Sequence, residues 1–205
     1  MKTVLILLCL PIYFPGYSQL NPGPVKMPID STSGHIQFQQ VVFLEPDMNT
    51  EAIIWKAKVW VDITYPSTKN PIQQYNSKSG ILVVKTQFPV TRTSYYLDQP
   101  TTETITVYHT VTIEAKPGRY RVTLSNYEMG VDGQRTILAA NRGTMDREEY
   151  IAMVRKQARG TSTEQAFIKS VVKNPDSAIT SERLFMADVK QQSLTLLKML
   201  KRHML

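Results

Sequence analysis

Three histidines, one cysteine and two arginines near a tyrosine are the side chains with the chemistry to build a site in this chain. His35, His109 and His203 are far apart in the sequence. A zinc centre needs about four nitrogen, sulfur or carboxylate ligands at close spacing, so no metal is expected. The chain has neither a Gly-x-Ser-x-Gly elbow nor a glycine loop of the phosphate-cradling kind, so no cofactor is expected. Triads assemble in space rather than in sequence, which leaves His109 as the one mid-strand base for a hydrolase. It stands between Val107 and Val111, where an alternating strand demands an apolar side chain. One reading is a neutral imidazole bonded to the backbone or to a hydroxyl. The other is a base or ligand group in a cleft under a helix, served by the loops 65–79 or 89–102. Arg119, Arg121, Tyr108, Thr106 and Thr110 share the polar side of the same hairpin. Guanidinium beside phenol grips carboxylates, phosphates or sugars. Two other readings are cross-strand pairing in solvent and cover by C-terminal helices. No catalytic residue is assigned; Arg119, Arg121, Tyr108 and His109 are the candidate ligand-binding residues.

The hairpin that positions them spans 104–127. Ile105, Val107, Val111 and Ile113 alternate with polar residues, and Tyr120, Val122 and Leu124 repeat the alternation on the return. Period-two patterning gives one face to bury and one to wet. Pro117-Gly118 suits the reversal, proline by its fixed torsion and glycine by accepting positive φ. Upstream, 35–44 is a strand with Ile36, Phe38, Val42 and Leu44 inward and Gln40 breaking that face. A helix over 50–64 presents Ile53, Ile54, Ala57, Trp60 and Val61 as one apolar stripe, with Asn49 or Asp47 as its cap. Residues 65–79 are a loop, 81–88 a strand, and 89–102 a second loop carrying Tyr95 and Tyr96. After a turn at 130–133, helices are expected over 144–159, 164–173 and 181–204. Thr144 is the cap of the first, and Leu184, Phe185, Val189, Leu196, Leu197 and Leu200 are the stripe of the last. The fold class is therefore α+β. Strand, helix and three strands make an antiparallel sheet with a helix packed on one face, followed by C-terminal helices.

Lys2 precedes an apolar run over 3–14, and small residues precede a cleavage point after Ser18. This is a secretory signal peptide, too short to span a membrane. Cys9 falls inside it with Leu8 where a lipoprotein signal wants a small residue, so the mature chain is expected to lack cysteine. No other run approaches the ~20 apolar residues of a membrane helix. The domains follow as a signal peptide at 1–18, an extended proline-bearing leader at 19–34, an α+β domain at 35–129 and a helical extension at 130–205. Twenty-four Lys and Arg against 17 Asp and Glu give a net charge of +7. For an exported protein, periplasmic or secreted, that balance points away from nucleic acid. It suits a solubilising charge, an anionic glycan or lipid, or another envelope protein.

Pro28-Ile29-Asp30-Ser31-Thr32-Ser33-Gly34-His35-Ile36, Ala57-Lys58-Val59-Trp60 and Gly118-Arg119-Tyr120-Arg121 occur in order with sensible gaps. Together they resemble the exported Bacteroidetes domain of unknown function 4468, over about 27–127. The resemblance implies a TBP-like fold and an envelope or secreted protein, and it supplies neither catalytic residues nor a ligand. The TBP-like label describes strand order and says nothing of DNA. The expected role is a non-enzymatic binding or interaction module of the cell envelope. Anionic lipid or glycan binding through the outer hairpin face and an envelope hydrolase using His109 are the alternatives.

Overall fold

The computed structural model describes residues 23–66, 68–96, 99–131, 133–157, 160 and 162–205. The signal peptide expected over 1–18, with Cys9, lies outside them. The elements run β1 (Phe38–Phe43), α1 (Thr50–Thr64), β2 (Ile72–Asn76), β3 (Ile81–Tyr96), β4 (Gln99–Lys116), β5 (Arg119–Val131), β6 (Gln134–Ile137), a 3-10 turn (Ala140–Gly143), α2 (Arg147–Gln157), α3 (Ser162–Lys173) and α4 (Pro175–Met204). All strand pairs are antiparallel, in the order β1-β5-β4-β3-β2, with β6 following β1 along the same edge of β5.

The β4–β5 hairpin is the spine. Its turn closes where Pro117-Gly118 lets φ reach +71° at Gly118, and Lys116 pairs Arg119. Ile105, Val107, Val111, Ile113, Tyr120, Val122 and Leu124 are all buried, as the alternation requires. α1 begins at Asn49, whose side chain accepts from the Ala52 N–H at 2.8 Å, and it buries Ile53, Ile54, Ala57, Trp60 and Val61 against the sheet.

Five expectations are corrected, the fifth at the start of α4. The loop expected over 65–79 contains β2, an edge strand whose Gln73, Gln74, Tyr75 and Asn76 are exposed, so no alternation announced it. The loop expected over 89–102 is a continuation of the ladder, β3 running to Tyr96 and β4 starting at Gln99. Pro89 is tolerated because β2 pairs only 81–84, leaving that side of β3 without a strand that needs a donor. The stretch after 130 begins with a strand, β6, before any helix. The cap of α2 is Asp146, not Thr144: Asp146 Oδ1 accepts from the Glu149 N–H and Glu149 Oε2 accepts from the Asp146 N–H. That reciprocal pair is a capping box.

α4 starts six residues earlier than expected, with Pro175 in the first turn, where its missing N–H costs nothing. Its Phe185, Met186, Val189, Leu197, Leu200 and Met204 join α1 and the inward sheet residues in one core. Both helices therefore cover the same face, and the outer face of the sheet is left open. Three devices fix α4 there. Glu182, 1% exposed, accepts from Arg142 Nε at 2.8 Å and Nη2 at 3.0 Å, and also from Arg92 of β3. Burial alone would lower the Arg142 guanidinium, but the Glu182 carboxylate more than offsets this and holds it raised. The Tyr127 hydroxyl meets Ser193 Oγ at 2.7 Å.

Candidate functional site

The four residues singled out from sequence do not form one site. Arg121 pairs Glu114 across the ladder, Nη2 at 2.7 Å and Nε at 2.8 Å from the carboxylate. Arg119 stands at the hairpin turn opposite Lys116. Tyr108 is eight residues further along β4 than Lys116, about 27 Å at 3.4 Å per residue. The grouping of Arg119 and Arg121 with Tyr108 is thus corrected: they share a face but not a place. Nor do the C-terminal helices cover that face, since α4 packs on the other one.

His109 faces the core. It is 2% exposed, its ring centroid 5.0 Å from Phe88 and 5.6 Å from Tyr127, nearly parallel to the latter. Neither ring nitrogen has a hydrogen-bond partner. Burial lowers its pKa to about 4, opposed only weakly by the backbone of Val107. The imidazole is neutral, as one reading required, and its polar neighbour is the Val107 backbone, at a geometry short of a full hydrogen bond. Trp60 Nε1 is likewise buried without a partner, and Tyr65 Oη and Thr86 Oγ1 are buried facing one another. Thr86 is the ladder partner of His109, and Trp60 and Tyr65 stack edge to face at 5.7 Å. A polar seam thus runs through the core beneath the end of α1.

On the opposite side of the sheet, β4 and β5 slip register between Tyr108 and Thr110, and Asn126 takes φ of +53°. A bulge of this kind bends and twists the strand. Here it hollows the outer face into a cleft of about 550 Å³. The floor is Lys85, Gln87, Tyr108, Thr110 and Asn126; the loop bearing Thr68, Lys69 and Asn70 forms one wall, and Arg135 and Ile137 of β6 the other. A second cleft, also about 550 Å³, continues past the end of α1 and shares Thr68, Lys69 and Gln87 with the first. Together they make one groove across the sheet.

The charges in it are not balanced. Arg135 lies 3.8 Å over the Tyr108 ring and 4.0 Å from Glu128. Lys69 and Lys85 have no ion pair among the described residues. Gly130 makes room for Tyr108: a Cβ there would lie 2.8 Å from its ring. Two free ammonium groups, four carboxamides (Asn70, Gln73, Gln87, Asn126) and a guanidinium-capped phenol offer many donors to an anionic, hydroxyl-rich molecule. Sequence reasoning found Tyr108 here, and His109 in the buried part of the lining, and missed Lys69, Lys85 and Arg135. The last two lie on strands, and Lys85 was legible as outward-facing, but only the bulge and β6 bring them together. Among the described residues no three His, Cys, Asp or Glu side chains gather in a metal-binding group. No described helix is long and apolar enough to cross a membrane.

Residues 38–129 match the family model described as "Domain of unknown function (DUF4468) with TBP-like fold". Among solved structures, the chain is similar to a DUF4468 family protein from Bacteroides ovatus, with 16% identity, TM-score 0.47 and coverage of 74% of this chain and 89% of that one. It is also similar to a TBP-like protein from Parabacteroides distasonis, with 13% identity, TM-score 0.44 and coverage of 76% and 96%. No curated protein matches it.

Proposed function

We propose that the protein is a non-enzymatic binding module of the cell envelope whose outer-face groove takes an acidic saccharide, built on the stretch 38–129 that matches the DUF4468 model with its TBP-like fold. The observation that carries this is the pair of unpaired lysines, Lys69 and Lys85, set among carboxamides in a cleft of about 550 Å³. Ammonium groups supply the attraction for carboxylates, while Asn and Gln side chains answer the donor-and-acceptor hydroxyls of a sugar. The open groove, continuing past Thr64 and Tyr65, suits a chain of several sugar units better than a single compact ligand. Catalysis by His109 is disfavoured, because its ring, although in the lining of the cleft, is almost fully buried and has no hydroxyl or carboxylate hydrogen-bonded to it. Placement in the envelope rests on the signal-like residues 1–18; intact mass of the protein recovered from its native cells should begin at Gln19.

The test is calorimetric titration with tetragalacturonate and with neutral maltotetraose. The acidic sugar should bind more tightly, and Lys69→Ala/Lys85→Ala should weaken it by about tenfold or more, as loss of charge-assisted hydrogen bonds implies. Arg119→Ala/Arg121→Ala should leave it unchanged. Equal affinity for the two sugars, or indifference to the lysines, would remove the proposal.

A further inference from the structure

α1 is apolar on two sides. Opposite its buried stripe, Trp55, Val59 and Ile63 recur every four residues, with Trp55 61% and Ile63 66% exposed. A helix that packs on one layer has no need of a second such stripe. The end of α4 lies beside it, Lys56 Nζ donating to the Met204 carbonyl at 3.4 Å. The last turns of α4 bury Leu197, Leu200 and Met204 against the sheet, and Lys198, Met199, Arg202 and Leu205 are exposed. No acidic residue occurs from Val189 to Leu205. Lys198 and Arg202 have no ion pair among the described residues.

The outward surface of the helical layer therefore combines an exposed indole and three exposed aliphatic side chains with the unneutralised cations of α4; on α1, Asp62 is paired with Lys58 at 2.7 Å and Glu51 lies at the far, N-terminal end. We infer that this surface docks the protein on an anionic lipid bilayer. The charge complementarity selects that occupant. Tryptophan favours the headgroup level, aliphatic side chains enter the acyl boundary, and lysine and arginine meet anionic headgroups. A second copy of the chain would bring the same cations face to face. Docked in this way, the protein turns its sheet and groove toward water. The inference does not depend on what the groove holds.

The two tryptophans make the test clean, since Trp60 is only 3% exposed and Trp55 alone can change its surroundings without unfolding. Vesicles of phosphatidylcholine with an equal share of phosphatidylglycerol should shift the emission to the blue and carry the protein down on centrifugation. Pure phosphatidylcholine should do neither. Lys198→Glu/Arg202→Glu should weaken partitioning by about tenfold or more, with circular dichroism unchanged. Trp55→Ala should weaken it as well. No partitioning onto the anionic vesicles would overturn the inference, as would partitioning that both variants leave intact. A dimer in solution that Trp55→Ala dissolves, without vesicle binding, would assign the stripe to a second copy and overturn it equally.

Discussion

Replacing His109 with phenylalanine should remove a liability that acid exposes. In the wild type the imidazole is held between Phe88 and Tyr127, and its pKa is lowered to about 4 from an ordinary 6.5. The unfolded chain therefore binds a proton between those values that the folded chain refuses. Stability is complete above pH 6.5, falls as pH drops toward 4, and loses nothing more from this group below that. The window corresponds to about 3 kcal/mol. Phenylalanine keeps an aromatic ring in the stack, removes two unpartnered nitrogens and has no proton to take up. Urea unfolding of both proteins at pH 7.5, 6, 5 and 4.5 gives the comparison. His109→Phe should be at least as stable as wild type at pH 7.5, and its advantage should grow by about 2.5 kcal/mol by pH 4.5. A difference that stays constant across the series would mean that His109 is hydrated or partnered, and the description of the polar seam would be wrong.

Three further outcomes follow from the packing. Glu182→Ala leaves the buried Arg142 guanidinium without a carboxylate and Arg92 with only Glu103 at 3.9 Å, so urea unfolding should show a loss of about 3–5 kcal/mol. Gly80→Ala places a Cβ 2.4 Å from the Ala115 carbonyl oxygen at a φ of +72°, and should cost more than about 1 kcal/mol in the same assay. Gly130→Ala puts a Cβ 2.8 Å from the Tyr108 ring and disturbs its stacking with Arg135 at the wall of the cleft. Calorimetry should then show weaker tetragalacturonate binding, with a change in unfolding free energy of about 1 kcal/mol or less.

What was legible in the sequence depended on which faces were buried. α1 and the hairpin were readable residue by residue because each has one dry side, so Ile53 to Val61 recur at helical spacing and Ile105 to Ile113 alternate. β2 and β6 were not, because residues such as Gln74, Asn76, Gln134 and Thr136 are exposed and carry no period. Pro89 suggested a loop, although it marks only the unpaired side of β3. Asn174-Pro175-Asp176 read as a stop, and it is also the start of α4, because proline serves both ends of a break. The groove was legible only in part. Tyr108 and Lys85 could be placed on the outer face, but the register slip at Asn126 and the approach of Lys69 and Arg135 depend on long-range packing. Arg119 and Arg121 misled because sharing a face fixes direction and leaves distance along the strand open.

The central claim is that the bulged end of the outer face is a binding groove. Two-dimensional amide NMR of the isotope-labelled protein titrated with tetragalacturonate tests it residue by residue. Shifts that grow together at Thr68, Lys85, Gln87, Tyr108, Thr110 and Asn126, with Arg119 and Arg121 still, are the predicted result. Shifts confined to the hairpin turn, or none at millimolar sugar, would contradict it.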